Sequence, residues 1–248
     1  MSPGDAILIT LAGMAAGMIN TVVGSGSLIT FPALIALGYP PVLANVSNNI
    51  GLVPGALSGA IGYRRELRGQ RARLTKLVPA SLIGGLTGSI LLLRLPSDVF
   101  ERVVIVLILI ALTLVIVQPR LAKRLAARRT APHAITAPLL VLVALTGVYG
   151  GYFGAAQGIL LFALLSIFIA DDLQRLNGTK NVLAMSVNLV ASATFIIATE
   201  VDWAVVACIA AGSVVGGQLG ATVGRKLNPK ALRAVIVIVG LTALIRLL

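Results

Sequence analysis

Acidic side chains are scarce in this chain. Eight Asp and Glu stand against twenty Lys and Arg in 248 residues. All eight fall at the ends of apolar runs or between them, so no carboxylate inside a run is available to relay protons or ligate sodium. The one histidine, His133, lies in a basic stretch, and the one cysteine, Cys208, lies in an apolar run. Those two absences exclude an intrachain disulfide, a His/Cys metal site and a nucleophile–His pair. No metal, cofactor or catalytic residue is therefore expected. Aromatic residues make up only 4%, and charged residues 11%, about half the charged share of a soluble domain. Hydrophobic residues fill the difference at 58%, the mean hydropathy is +1.00, and there are 26 glycines. This is the composition of a polytopic membrane protein whose helices approach closely through small residues. A net charge of +12 would suit nucleic acid if it were spread over a surface. Here the cations cluster in short stretches between apolar runs, which is the pattern that orients a membrane protein. Membrane lipids are expected as partners, and nucleic acid is not. The opening Met1-Ser2-Pro3-Gly4-Asp5 lacks the basic start of a signal peptide, so retention of this segment is expected.

The chain is written twice. A shift of 132 positions carries Gly26 onto Gly158, Asn45 onto Asn177, Asn49 onto Asn181, Ser81 onto Ser213 and Gly88 onto Gly220. Upstream, Gly13 and Gly17 match Gly147 and Gly151 at a shift of 134, so the first copy carries two extra residues near 20–25. Polar residues that recur at matched points of a duplicated apolar chain mark a transporter built from repeats.

Ten helical segments are expected, five per copy: 6–23, 27–37, 42–63, 74–93 and 99–117, then 135–153, 158–170, 176–199, 203–223 and 231–248. The second segment of each copy is about a dozen residues, too short to span a bilayer unaided. Three basic clusters follow: Arg64 to Arg73, Arg120 to Arg129, and Arg225 to Arg233. An even number of segments separates them, so all three share one, cytoplasmic, side. Five segments per copy is odd, which inverts one copy against the other. The expected fold is an all-α polytopic membrane protein of about eight to ten helical segments in two inverted repeats with broken or re-entrant short helices. The repeats are 1–119 and 135–248, with a basic cytoplasmic linker at 120–134.

The stretch Gly13-Met-Ala-Ala-Gly17-Met-Ile-Asn20-Thr-Val-Val-Gly24-Ser-Gly26-Ser27-Leu-Ile-Thr-Phe-Pro32 resembles the opening motif of the sulfite exporter TauE/SafE family, also called the toluene-sulfonate uptake permeases. Gly38-Tyr-Pro-Pro-Val-Leu-Ala-Asn45-Val-Ser47-Asn48-Asn49 and Arg175-Leu-Asn177-Gly178-Thr179-Lys180-Asn181 resemble the family's entry to the next helix, and Gly62-Tyr63-Arg64 fits as well. The resemblance covers nearly the whole chain. Departures are Gly24-Ser25-Gly26-Ser27 in place of a run of glycines, and Ala155-Ala156-Gln157-Gly158 in the second copy. The resemblance implies export or uptake of small sulfur-containing or carboxylated anions across a bacterial inner membrane.

Two groups of residues are candidates for substrate contact. Asn20, Thr21, Ser25 and Ser27, with Gln157 opposite, lie where helices break. Broken backbone inside a membrane must line a cavity or be buried in protein, and at a half-helix N-terminus it can cradle an anion. A tight, self-capped turn is the alternative. Asn45, Asn48 and Asn49, with Asn177, Thr179, Lys180 and Asn181, form the second group. Asn45/Asn49 and Asn177/Asn181 are spaced by four, so each pair shares a helix face, and neutral amides suit an oxyanion. N-capping is the alternative, but it accounts for one or two polar residues per helix start, not four in nine twice over. Lys180 breaks the symmetry with Asn48. It contacts an anion, or it snorkels to the surface with Asp171, Asp172 and Arg175.

The resulting expectation is a secondary transporter or facilitator for a small anion, with export favoured. An anion-selective channel, a membrane scaffold and a lipid-phosphate enzyme are the alternatives. The oligomeric state is left open.

Overall fold

In the computed structural model the chain is built of helices; the structure describes residues 1–126, 135–223 and 229–247. Ten follow one another: α1 Pro3–Val22, α2 Ser27–Ala36, α3 Pro41–Gly62, α4 Arg71–Arg94, α5 Ser97–Ala126, α6 Ala137–Tyr152, α7 Gln157–Phe168, α8 Leu173–Ala198, α9 Trp203–Thr222 and α10 Pro229–Leu247. The ten expected segments are thus present, and no strand occurs among the described residues. Residues 120–126 of the expected linker continue α5. His133, Arg128, Arg129, Arg225 and Lys226 lie outside the described residues.

Length decides which helices can cross a bilayer. Five described helices are long and apolar enough: α1, α4, α5 over Ser97–Gln118, α8 and α9, at 20 to 26 residues. In contrast, α2 has 10 residues and α7 has 12. They rise about 15 and 18 Å, against a hydrocarbon core about 30 Å thick. Each is a half-helix that turns back after its predecessor. The turn after α1 uses Gly24 at φ 90°, and the turn after α6 uses Gly154 at φ 77° and Ala156 at φ 61°. Left-handed backbone there ends the helix and reverses the chain.

Packing is symmetric under exchange of the two copies. α1 lies on α9 as α6 lies on α4, and α3 on α9 as α8 on α4. α2 meets α10 as α7 meets α5, and α3 and α8 pack on each other. Glycines make the tightest of these contacts. A Cβ on Gly13 would come 2.8 Å from the Ile209 carbonyl oxygen, and Gly17 lies on Ser213 in the same way. The order of these contacts shows that α1 and α9 run parallel. Likewise α4 and α6 run parallel, with Gly84 on Ala144 and Gly88 on Val148. α3 and α8 run antiparallel, because Ser192 meets Asn49 whereas Asn177 meets Tyr63.

Charge separates along the helix axes. Arg64 and Arg65, after α3, line a cleft with Gln218 and Thr222 at the end of α9. The Arg68 carbonyl accepts from Arg175 at the start of α8. At the other end of α3 lies Tyr39, whose hydroxyl pKa is raised by burial and then by the carboxylates of Asp202 and Asp5. The basic loop therefore lies at the opposite end of the bundle from Asp5 and Asp202. Edge-on aromatic contacts tie α2 and α5 to the end of α6 and the turn after it: Phe31 to Phe153 at 5.2 Å and Phe100 to Tyr152 at 5.7 Å.

Candidate functional site

The two asparagine groups sit in the second and third turns of α3 and α8, facing inward. Asn45, Asn48, Asn49, Asn177, Thr179 and Asn181 are all buried. None of them caps its helix. Asp172 caps α8, accepting from the N–H of Gln174 at 2.8 Å, and Pro40 precedes α3 with no side-chain cap. Asn45, Asn49, Asn177 and Asn181 instead reach across to the opposite copy. Asn45 Nδ2 donates to the Tyr152 carbonyl, at the end of α6, at 2.9 Å. Its counterpart Asn177 donates to the Thr21 carbonyl, near the end of α1, at 3.3 Å and to the Tyr63 hydroxyl at 2.7 Å. Carbonyls in the last turn of a helix have no intrahelical donor and sit at the negative end of its dipole, so they collect donors.

The Thr21 carbonyl collects three. Asn181 Nδ2 donates to it at 3.3 Å and Lys180 Nζ at 3.2 Å, and Lys180 also donates to the Asn20 carbonyl at 3.2 Å. Lys180 is 1% exposed and is the one charged side chain among the buried described residues. The snorkelling alternative is thereby overturned: the ammonium lies inside the bundle against two carbonyl oxygens. Removing an ammonium from water costs several kcal/mol, which carbonyl dipoles offset only in part. On the α3 side, Asn49 Oδ1 accepts from Ser192 at 2.9 Å, and Asn48 Oδ1 accepts from Thr30.

At the broken segments the turn before α2 meets the start of α7. The Gly158 N–H donates to the Gly24 carbonyl at 3.0 Å, and the bare Cα atoms face each other, so a side chain at either position would strike backbone. Several backbone donors of this region are used within the turns: Leu28 to Ser25, Ile29 to Gly26, Gln157 to Gly154 and Ile159 to Ala156. Side chains remain. Ser25 Oγ and Gln157 Nε2, at equivalent positions of the two copies, are buried without a hydrogen-bond partner, as is Ser47 Oγ. Asn20 and Ser27 are half-buried beside them. The Thr21 hydroxyl bonds back to the Gly17 carbonyl at 2.9 Å, so its backbone carbonyl, not its side chain, serves the cluster. Asn177 also opens onto a cavity of about 190 Å³ that Val22, Gln118, Phe162 and Gln174 help to line.

Comparison with known proteins now bears on this arrangement. The family described as "Sulfite exporter TauE/SafE" matches residues 9–247. The chain belongs to the TauE/SafE family. Among its relatives, a "Probable membrane transporter protein" of Haemophilus influenzae is 26% identical over 91% of this chain and 88% of its own length. The "Probable membrane transporter protein YfcA" of Escherichia coli K12 is 25% identical over 91% and 83%. "Probable membrane transporter protein ORF9" of Sinorhizobium is 29% identical over 96% and 90%. No solved structure matches. Family and apolar helices together make this TauE/SafE chain a multi-pass bacterial membrane transporter.

Sequence reasoning missed several members of the network in this TauE/SafE protein. Tyr63 joins Asn177. Gln70 is buried within the basic loop, where its Oε1 accepts from Thr179 at 2.7 Å and from Arg73 at 2.6 Å. Thr179 therefore ties α8 to the basic end of the bundle. A neutral residue within a run of arginines was the available sign for Gln70. Thr30 and Ser192 had none, because their counterparts, Phe162 and Ala60, are apolar.

Proposed function

We propose that this transporter carries a small anion, a sulfur oxyanion, an organosulfonate or a carboxylate, across the bacterial inner membrane, with export favoured. The observation that carries the reading is Lys180: an ammonium buried between the copies whose hydrogen-bond partners are carbonyl oxygens rather than a carboxylate. An anion offsets such a charge more fully than peptide dipoles do. Ser25 and Gln157 support the reading as buried donors without acceptors, and so does the family's name. In this reading the substrate is held by Asn20, Thr21, Ser25, Ser27, Asn45, Asn48, Asn49, Gln157, Asn177, Thr179, Lys180 and Asn181, at the junction of repeats 1–119 and 135–248. The opposed directions of α3 and α8 support an inverted pair of repeats, which rock about that junction. No covalent chemistry is involved.

Export needs no coupling ion. A cell interior that is negative drives an anion outward by about 2.3 kcal/mol per charge per 100 mV, a roughly fifty-fold gradient for a monoanion. The test is flux from liposomes under a potassium–valinomycin potential at equal pH, across sulfite, sulfonates and carboxylates. Flux that follows the imposed voltage is expected. Strict dependence on a proton or sodium gradient would overturn the energetics, and absence of flux for every anion would overturn the reading.

A further inference from the structure

Resting on that reading, we infer that the site selects monoanions over dianions of the same shape, and that Lys180 sets this selection by being its only cation. At the shift of 132, five pairs of polar residues relate the two halves of the site, and one pair differs in charge. Ser25 pairs with Gln157, Asn45 with Asn177, Ser47 with Thr179 and Asn49 with Asn181, all neutral; the remaining pair is Asn48 and Lys180. Lys180 is the one charged side chain among the buried described residues. Arg175, the nearest arginine to Lys180 along the chain, and Arg73, which shares Gln70 Oε1 with Thr179, are committed elsewhere: both pair with Asp171 at the basic end of the bundle, at 3.0 and 2.8 Å.

One ammonium neutralises one negative charge. A second charge on the ligand would meet only amides, hydroxyls and the carbonyl oxygens of Asn20 and Thr21, and those carbonyls repel it. An uncompensated charge held away from water is costly however well its hydrogen bonds are made. A second, matching observation is that Ser25 Oγ, Ser47 Oγ and Gln157 Nε2 are buried donors with no partner. Together they supply hydrogen bonds to several oxygens of one ligand without adding charge. Such a set of groups suits a sulfonate, bisulfite or a monocarboxylate, and disfavours sulfate. It also predicts how the preference can be moved. Placing a second cation at the equivalent position of the first copy, Asn48→Lys, makes the site formally dicationic.

The experiment is equilibrium binding to the purified full-length protein in nanodiscs, with ligand pairs matched in shape. Methanesulfonate is compared with sulfate, and benzenesulfonate with phenyl phosphate, at a pH where the phosphate is doubly ionised. The wild type is expected to favour the monoanion of a pair by at least about tenfold. Asn48→Lys is expected to narrow or reverse that ratio. Lys180→Gln is expected to weaken the monoanion by at least about tenfold while leaving the amide contacts. Should either variant fail to fold, the wild-type ratio and the other variant still decide. Wild-type binding of the dianion as tight as its monoanion partner overturns the selection but leaves the anion reading standing, as does an unchanged ratio in a folded Asn48→Lys. No binding of any anion removes the anion reading itself and the selection with it.

Discussion

Two asparagines at equivalent positions carry unequal loads. Asn45 is the side chain that donates to the Tyr152 carbonyl, whereas the Thr21 carbonyl below Asn177 has Lys180 and Asn181 as well. Asn45→Ala should therefore destabilise the fold by about 1–3 kcal/mol by leaving a buried acceptor unmet, and Asn177→Ala by about 1 kcal/mol or less. Unfolding in detergent, followed by tryptophan fluorescence, measures both, and equal losses would contradict the assignment. Asp171 provides a second residue-scale test. Burial pushes its carboxyl up, but the N–H of Asp172 and the guanidinium groups of Arg73 and Arg175 outweigh burial and hold it below 3.8. A depressed carboxyl pKa stabilises the fold above the unfolded value, and the contribution is lost as the pH falls through the folded value. Wild type should melt higher than Asp171→Asn at about pH 6, and the gap should close on acidification below about pH 4. A gap that widens in acid would refute this.

At the scale of the helices, glycines determine how close the two copies come. A Cβ on Gly216 would overlap the Met14 carbonyl, and one on Gly84 would overlap the Ala144 carbonyl. In either case the obstacle is backbone, so the helices must part along their length. Gly216→Ala and Gly84→Ala should each prevent accumulation of folded protein. Gly178, inside α8, is different: the nearest atom to an added Cβ is Leu67 Cδ2 at 3.4 Å. Gly178→Ala should be tolerated, and can add up to about 1 kcal/mol through helix propensity. Expression and size-exclusion profiles distinguish the two classes. The sequence sets these glycines in rows spaced by four, Gly84 with Gly88 and Gly216 with Gly220, and such rows let membrane helices pack closely. Which helix each row would meet was not visible, because a bare face accepts any partner of suitable shape.

For the whole molecule, the separation of charge makes a topological prediction. In a Cys208→Ser background, cysteines at Ser97 and Asp202 should react with an impermeant reagent from outside the cell, and one at Arg68 only from inside. Reaction of Arg68→Cys and Asp202→Cys from the same side would contradict the arrangement, since α3 and α8 place those loops at opposite ends.

Much of this organisation was legible without coordinates. The duplication, the ten segments, the two short helices and the grouping of cations follow from periodicity and composition. These are local properties, set by which side chains the bilayer tolerates and by how far a helix of given length reaches. The candidate asparagines were legible as well, because polar side chains in an apolar run are conspicuous. Tertiary structure alone decided what they touch. Lys180, Asn177 and Asn181 converge on the Thr21 carbonyl from 156 to 160 positions away in the chain. The Gly158 N–H likewise finds the Gly24 carbonyl only because the turn before α2 meets the start of α7 there. The physical reason is that the acceptors are main-chain oxygens. Every residue has one, so the sequence cannot mark which are left unpaired. That depends on where a helix ends and on which donors the opposite copy brings to that end.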